Sequence, residues 1–367
     1  MVTPSRIRLA RERRALTLTR LSGLTGISQQ SLSNYENARA VPTEETLGRI
    51  ADALGFPVGF FAADEVEEVA SEAVAFRART KTSMRKQKAV RSQAALAIEF
   101  NDWLGGHFSL PASNVPTYGR PSPEDAAETV RALWELGDTA TPNTVHLLEA
   151  QGIRVFSLDT EHHEVDAFGF WRDAVPYVFL NTGKSGERGR FDCAHELGHL
   201  VMHGDERPLG GPEAEREANR FASAFLMPRD DVVARMPAGA QVDQILKAKS
   251  IWRVSAMALT HRLHDLELLT DWQYRSTCRR LAEMGYRTAE PDGIARETSQ
   301  LLPKVFSLLR GRGTTPGRVA EELRIPLSEL DSLVFGLSFT ARTGGGGGTG
   351  VRRDRDRPAL RVVPAPR

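Results

Sequence analysis

Two histidines and a glutamate near the middle of the chain have the types and spacing found in metal-dependent hydrolases. His195 and His199 belong to the pattern His-Glu-x-x-His, so on a helix they lie one turn apart on one face and can reach one metal ion. Glu196 projects beside them, where it can take a proton from a water molecule that the metal activates. The alternative is a helix that carries two surface histidines by chance, and a metal site additionally requires a third ligand elsewhere in the chain.

A tetrahedral catalytic metal site needs three protein ligands and one open position. After a turn, residues 212–227 form a second predicted helix, on which Glu213 and Glu217 share one face. Glu217 lies 18 residues after His199, where a helix that returns across the site presents its carboxylate. His203 is the rival ligand, but three ligands along one straight helix converge poorly on one ion. The residues favour an open site of the two histidines and Glu217.

Helices and a small sheet precede the histidine segment. Ser122 and Pro123 mark the start of one helix, and a second helix covers 143–151. Three strand-like runs, rich in aromatic and β-branched residues, follow at 153–158, 167–171 and 177–180. The predicted fold class is α+β and mostly helical, with the sheet directly before the helix that carries the histidines.

The first sixty residues contain short helices separated by turns, which is the pattern of a helix-turn-helix. Thr17 can cap one short helix, Gly26 breaks the chain, and Ser28 begins a polar helix that runs to Tyr35. Residues 5–62 carry eight arginines and five acidic residues, a balance that suits phosphate contact. This segment therefore indicates DNA binding, and a helical bundle used only for dimerisation or protein docking is the alternative.

The stretch TLTRLSGLTGISQQSLSNYENARAVPTEETLGRIADALGFP resembles the XRE/Cro-type DNA-binding domain, with similarity over residues 5–62. The resemblance implies a recognition helix in the major groove of a double-stranded DNA operator. The implied DNA-contacting side chains, whose donors and acceptors match base edges and phosphates, are Ser28, Gln29, Gln30, Ser33 and Asn34. Thr19 stands where the family has a glutamine that contacts phosphate, and a hydroxyl can make that contact. Repressors of this type bind DNA as dimers, so a homodimer is a possible form.

The segments RFDCAHELGHLVMH and EREANRFASAFLMP together resemble the ImmA/IrrE family of zinc-dependent endopeptidases, with similarity from about residue 111 to 262. The resemblance implies Zn²⁺ as the cofactor, with ligands at His195, His199 and Glu217 and a general base at Glu196. It also implies a protein substrate, an XRE-type repressor whose cleavage derepresses genes. The alternative is a DNA-binding regulator whose metallopeptidase-like domain senses a ligand or a metal without proteolysis.

Five parts of the chain are expected. They are a helix-turn-helix domain at 1–62, a charged helical connector at 63–105, a zinc metallopeptidase domain at 106–235, a helical region at 236–340 and a disordered basic tail at 341–367. The connector contains seven basic residues and no acidic one at 77–91, either as a solvated tether or as an added phosphate contact. Segments 242–264 and 320–325 have helix-turn-helix outlines, and we expect the first to pack on the metallopeptidase domain.

The composition is that of a globular protein from a reducing compartment. Hydrophobic residues make up 41% and charged residues 26%, and the formal net charge of +1 gives no overall attraction to nucleic acid or membrane. No stretch approaches the roughly 18 apolar residues of a transmembrane helix. With two cysteines, a disulfide framework is excluded, and we expect Cys193 to be a small buried residue rather than a switch on the zinc. These features favour a cytoplasmic protein without a membrane partner.

Overall fold

The computed structural model describes residues 1–69, 83–118, 122–158, 165–204, 211–335 and 361–362. Residues 1–62, called the head below, contain four α-helices and a 3₁₀ turn: α1 Pro4–Arg13, α2 Leu18–Thr25, α3 Gln29–Glu36, α4 Glu44–Leu54 and the turn Val58–Ala62. Thr17 and Ser28 cap α2 and α3 by accepting backbone N–H groups, and Gly26 between these helices has a left-handed φ of 67°. The predicted helix-turn-helix is confirmed.

The predicted connector contains one long helix, α5 Met84–His107, with one side buried beside the head. Two residues of the predicted basic run bind other parts of the chain. Lys88 Nζ lies 2.8 Å from Glu12 Oε1, and Arg91 Nε donates to the carbonyl of Val69 at 2.7 Å. These two side chains thus have partners within the chain, and the beginning of the basic run lies outside the described residues.

The central part of the chain has the predicted order of helices, sheet and histidine helix. Its elements are β1 Phe108–Ser109, α6 Pro123–Leu133, α7 Thr144–Ala150, β2 Arg154–Leu158, β3 Ala167–Arg172, β4 Val175–Asn181, α8 Gly186–Met202, α9 Pro212–Leu226 and α10 Arg229–Arg235. The sheet has the order β2-β4-β3, with β4 parallel to β2 and antiparallel to β3. The predicted α+β fold class is confirmed.

Six further helices and a short strand complete the described chain. They are α11 Val242–Trp252, α12 Ala256–Asp265, α13 Asp271–Glu283, α14 Leu301–Gly311, α15 Pro316–Leu323, α16 Leu327–Leu333 and β5 Arg361–Val362. Strand β5 pairs antiparallel with β1, and the rest of the tail predicted to be disordered lies outside the described residues. Within the described ranges, every helix is too short or too polar to traverse a bilayer.

The three-stranded sheet separates two hydrophobic cores. Along β4, Tyr177 and Phe179 face one core, while Val178 and Leu180 face the other, as the alternation of side chains on a strand requires. The first core joins the head, α5 and α14–α16, and the second joins α6–α13. The predicted C-terminal region is thus divided, because α11–α13 pack with the histidine helix and α14–α16 pack with the head.

Helix α16 connects the head to the sheet. Its buried Glu329 accepts a hydrogen bond from Arg13 Nε at 2.7 Å and also pairs with Arg14, both from the end of α1 and its C-cap. On the side of α16 that faces the sheet, the hydroxyl of Ser157 on β2 donates to the carbonyl of Ser332 at 2.6 Å. The head is therefore joined to the rest of the molecule by a shared core and by buried polar contacts.

Three helix pairs within the described residues share one kind of turn. Each turn has three residues in the same order: the first has a left-handed φ, the second is a buried β-branched residue, and the third is the N-cap of the next helix. The three turns are Gly26-Ile27-Ser28, Arg253-Val254-Ser255 and Arg324-Ile325-Pro326. The second and third of these turns fall in the two C-terminal segments with predicted helix-turn-helix outlines. Both belong to packed parts of the cores, in agreement with the packing role expected for the first segment.

Candidate metal centre and nucleic-acid interface

The histidines of the predicted metal site lie on α8, a helix packed between the sheet and α9. Ser185 caps this helix by accepting the N–H of Arg188. Contacts with β3, β4 and α9 bury the motif, so that His195, Glu196 and His199 are 0%, 2% and 5% exposed. Burial of imidazole and carboxyl groups is unfavourable unless they have polar partners. A helix that carries two surface histidines by chance is therefore excluded.

Two histidines and a glutamate converge at one point of α8 and α9. His195 Nε2 and His199 Nε2 are 2.9 Å apart. Glu215 Oε1 lies 3.2 Å from His199 Nε2, and Glu215 Oε2 lies 3.6 Å from His195 Nε2. Metal–nitrogen bonds of about 2.0–2.1 Å in tetrahedral geometry place zinc ligands roughly 3.3 Å apart. The three side chains match this spacing and have the donor chemistry that zinc prefers.

The carboxylate in this group belongs to Glu215, whereas the sequence favoured Glu217. Residues two positions apart on a helix point in directions about 200° apart, so both glutamates cannot face the same point. On α9, Glu215 faces the histidine pair, and Glu217 Oε2 instead lies 3.0 Å from His203 Nε2. The expected ligand is corrected accordingly. Spacing from His199 could not distinguish the two glutamates, because the register of α9 against α8 depends on tertiary packing.

His203, the rival ligand, is not part of the group of three. It lies at the C-terminal end of α8, with its Nδ1 3.1 Å from Nδ1 of His199 and its Nε2 directed to Glu217. It therefore contacts the side of the His199 ring opposite to Nε2. Within the part of the chain that the structure describes, the side chains able to hold one metal ion together are His195, His199 and Glu215.

Asn219 is a polar residue of the site that sequence reasoning missed. Its Oδ1 lies 3.0 Å from His195 Nδ1, so the amide oxygen accepts the Nδ1–H of this histidine. An imidazole that donates through Nδ1 has its lone pair on Nε2, which is directed toward the metal position. The signal in the sequence was the position of Asn219 four residues after Glu215, which places both on one face of α9.

The side chain of Glu196 lies against strand β3 at the position of Gly169. A Cβ atom on Gly169 would be 3.5 Å from Glu196 Oε2 and 3.1 Å from the carbonyl oxygen of Tyr177. Because glycine has no side chain, the carboxylate of Glu196 can lie between α8 and the strand. This carboxylate is therefore held between the helix that carries the two histidines and the edge strand of the sheet.

Helices α8 and α9 cross closely at Gly198, inside the histidine motif. A Cβ atom at this position would lie 2.9 Å from Cδ1 of Phe221 on α9. Contacts shorter than van der Waals distance require a shift of the neighbouring atoms. The glycine therefore permits the approach of α9 that brings Glu215 to His199.

Cys193 lies on α8 but takes no part in the metal group. The side chain is fully buried, and this burial raises the pKa of the Cys193 thiol. A thiol binds metal as the thiolate, which a raised pKa disfavours. The location of Cys193 agrees with the expected role of a small buried residue.

The predicted DNA-contacting residues lie along α3 and at the start of α2. Ser28, Gln29 and Gln30 are exposed, Thr19 is exposed, and Ser33 and Asn34 are partly exposed. Thr19 Oγ1 donates to Gln29 Oε1 at 3.2 Å, which connects the two helices at this surface. Gln30 Nε2 donates to Asn34 Oδ1 at 3.2 Å, one turn further along α3. The amide groups of α3 are thus arranged on its solvent-facing side.

The charge around α3 suits contact with phosphate groups. The acidic residue of this helix, Glu36, is buried and accepts two hydrogen bonds from Arg11, at 2.6 and 2.7 Å. Its negative charge is therefore balanced inside the head. Arg20 on α2 and Arg39 after α3 are exposed. Cationic side chains next to a polar helix favour association with the DNA backbone.

Comparison with known protein families gives matches for both sites. Residues 5–59 match the model of a helix-turn-helix domain, and residues 148–264 match that of an IrrE N-terminal-like domain. The first match covers most of the head, and the second extends from the end of α7 into α12, including the histidine motif and Glu215. Comparison with curated protein sequences gives no significant match. The chain thus joins a helix-turn-helix domain to an IrrE N-terminal-like domain, a combination that indicates a DNA-binding regulator with a metallopeptidase-like part.

Proposed function

We propose that this protein is a DNA-binding transcriptional regulator whose central domain is a zinc-dependent endopeptidase that cleaves a repressor protein and thereby derepresses genes. The observation that carries the proposal is the convergence of the partly exposed Glu215 with the buried His195 and His199, on the helix that also carries the buried Glu196. Three protein ligands leave one tetrahedral position open, which is typical of hydrolytic rather than structural zinc sites.

In this proposal, His195, His199 and Glu215 hold Zn²⁺. A bound Zn²⁺ supplies Lewis acidity, which polarises a peptide carbonyl and makes a water molecule more acidic. Glu196 is the general base that takes a proton from the attacking water and passes it to the leaving amine. Asn219 orients the ring of His195 by accepting its Nδ1–H.

The edge strand β3 supports an extended peptide as the substrate. Among the described strands, β3 pairs with β4 on one side and has no strand on its other side. Such an edge can bind an extended peptide as an added strand through main-chain hydrogen bonds. Gly169 of β3 lies beside Glu196, so a peptide bound along this edge would pass the general base. A flexible segment of a protein substrate fits this arrangement.

The head supports a role in gene control. We propose that it binds double-stranded operator DNA through Gln29, Gln30, Ser33 and Asn34, with Ser28 and Thr19 at the phosphates, and that it does so as a homodimer. The resemblance of the head to XRE-type repressors and of the central domain to ImmA/IrrE endopeptidases supports a repressor of the XRE type as the substrate. A protease attached to a DNA-binding head would meet such a repressor at shared operator sites.

The test combines purified protein, Zn²⁺ and the repressors encoded beside its gene. We expect one Zn²⁺ per chain and cleavage that a chelator abolishes. Glu196→Gln should keep the zinc but slow cleavage by roughly 10²–10⁴-fold, because the general base is removed. Glu213→Gln, an exposed position in the first turn of α9, is the matched control and should cleave at the wild-type rate. A wild-type protein without zinc, or unchanged cleavage by Glu196→Gln, would contradict the proposal.

A metal or ligand sensor without proteolysis is the second candidate function. The connection through α16 favours it, because Glu329 binds Arg13 of the head and Ser332 binds Ser157 of the sheet. A change near the sheet can reach the DNA-binding head along these contacts. If the protein is a sensor, Zn²⁺ should change its affinity for the operator, and mass spectrometry should find no cleaved repressor. If it is an endopeptidase, cleavage products should appear.

A further inference from the structure

Two polar residues beside the metal centre have no role in the chemistry described above. They are His203, one turn after His199, and Glu217 on α9, with side chains that are 9% and 40% exposed. Glu217 Oε2 lies 3.0 Å from His203 Nε2, and His203 Nδ1 lies 3.1 Å from His199 Nδ1. The two side chains thus form a hydrogen-bonded chain that ends on a metal ligand.

The carboxylate determines the direction of both hydrogen bonds. An ionised Glu217 can only accept, so the proton in its bond with His203 is carried by His203 Nε2. A neutral His203 then has its lone pair on Nδ1, which accepts the Nδ1–H of His199. In this tautomer, His199 has its own lone pair on Nε2, which faces the Glu215 carboxylate at 3.2 Å. Two acceptors at this distance suit a cation bound between them. The order of protons along the chain therefore directs a ligand atom of His199 to the metal position.

The second histidine ligand is oriented by a different residue. Asn219 Oδ1 lies 3.0 Å from His195 Nδ1, so His195 also donates through Nδ1 and has Nε2 directed to the metal. Metal-binding histidines commonly donate their other N–H to an acceptor that sets the tautomer and the ring orientation. At this site, the acceptor is an amide for His195 and a histidine–carboxylate pair for His199.

We propose that His203 and Glu217 are positioning residues, which hold His199 in the tautomer and the ring orientation that zinc binding requires. Glu217 acts through His203, and neither residue contacts the ion. This inference rests on the proposed zinc centre. It assigns separate roles to the two residues that the sequence offered as third ligands.

Zinc affinity tests the proposal directly. The metal-free full-length protein is titrated with Zn²⁺ against a competing chelator. Glu217→Ala and His203→Ala should each weaken binding by roughly 10–100-fold, the usual effect of removing an outer partner of a ligand. Glu217→Gln keeps an acceptor oxygen for His203 and should lose less affinity. Glu213→Ala, an exposed position one turn earlier on α9, is the matched control and should bind Zn²⁺ as the wild type does.

A double variant tests whether Glu217 acts through His203. In the background of His203→Ala, the further change Glu217→Ala should cause no additional loss of zinc affinity, because the pathway to His199 is already broken. Losses that multiply would show that Glu217 acts on the site by another route and would overturn the proposed chain.

Imidazole ¹H and ¹⁵N NMR spectra of the zinc-loaded protein provide a readout independent of zinc affinity and of catalysis. In the wild type, the Nδ1–H of His199 should be hydrogen-bonded to His203, and its proton signal should therefore lie downfield and exchange slowly with water. In Glu217→Ala, this signal should shift upfield and exchange faster, because His203 is no longer held as the acceptor. An unchanged Nδ1–H signal, or wild-type zinc affinity in Glu217→Ala and His203→Ala, would overturn the positioning role alone. A wild type that binds no zinc would overturn the proposed metal centre, and this inference with it.

Discussion

At the scale of single residues, the candidate metal centre consists of three donors from two helices, with a polar partner behind each histidine ring. His195 and His199 come from α8, whereas Glu215 and Asn219 come from α9 and lie one turn apart. The carboxylate faces both Nε2 atoms, and each Nδ1 atom has a polar partner. The register of α9 against α8 therefore decides which glutamate faces the two histidines and which one faces His203.

Replacement of Glu215 by alanine should reduce zinc affinity more than replacement of Glu217. The first change removes a ligand, whereas the second removes an outer partner, for which roughly 10–100-fold is usual. We expect a loss above this range for Glu215→Ala, measured by chelator competition on the full-length protein. If instead Glu217→Ala abolished binding and Glu215→Ala bound zinc normally, the ligand set predicted from the sequence would be correct.

Gln29→Ala and Asn34→Ala should each weaken binding to the operator by roughly 1–3 kcal/mol, because an amide that pairs with a base edge contributes discrimination of that size. Footprinting and titration on the promoter of the protein's own gene measure this effect. Binding to random DNA is the control, and it should change much less. Equal losses on operator and random sequences would show that these two side chains do not read bases.

At the scale of secondary-structure elements, the site depends on the crossing of α8 and α9. Gly198 lies at the crossing, and its missing Cβ leaves room for the ring of Phe221. Gly189 belongs to the same helix, and a Cβ there would meet nothing within 4 Å. The two glycines therefore form a matched pair, one in a close contact and one in open space.

Gly198→Ala should destabilise the protein by about 1–3 kcal/mol through overpacking against Phe221, offset in part by helix propensity. The zinc affinity should fall as well, because α9 must move and Glu215 moves with it. Gly189→Ala should instead stabilise by up to about 1 kcal/mol, since alanine is the better helix former. Urea unfolding measures both effects, and the same sign for the two variants would argue against a close crossing at Gly198.

At the scale of the whole molecule, the sheet and α16 connect the candidate metal centre to the head. One face of the sheet covers the core of the metal site, and the other face belongs to the core shared with the head. Glu329 is 2% exposed and binds Arg13, which is 5% exposed, in the contact between α16 and α1. The DNA-binding head is therefore placed by contacts with residues more than three hundred positions away in sequence.

Glu329→Ala should destabilise the protein by about 3–5 kcal/mol, because it leaves the buried guanidinium of Arg13 without its carboxylate. Limited proteolysis should then release the head faster than in the wild type. Glu321→Ala is the control, since Glu321 is 70% exposed and its ion pair with Arg318 lies at the surface. Such surface pairs contribute about 0–1 kcal/mol. A stable Glu329→Ala variant would show that the shared core alone holds the head in place.

The amino-acid sequence by itself determined the features that depend on neighbours a few residues apart. The spacing of His195 and His199 places them on one helix face, and the caps Thr17 and Ser28 with Gly26 between them define the helix-turn-helix. These are local effects, because helix periodicity, capping and turn geometry involve contacts within about one or two turns of the chain. The fold class, the order of the elements and the two kinds of site follow from them.

The tertiary structure decided the features that depend on how distant segments pack. It turned Glu215 rather than Glu217 toward the two histidines, brought Asn219 to His195, and set α16 between the head and the sheet. These outcomes depend on the register between helices and on close approaches such as that at Gly198. Register is determined by side chains that interlock across an interface, so periodicity within a single helix contains no information about it.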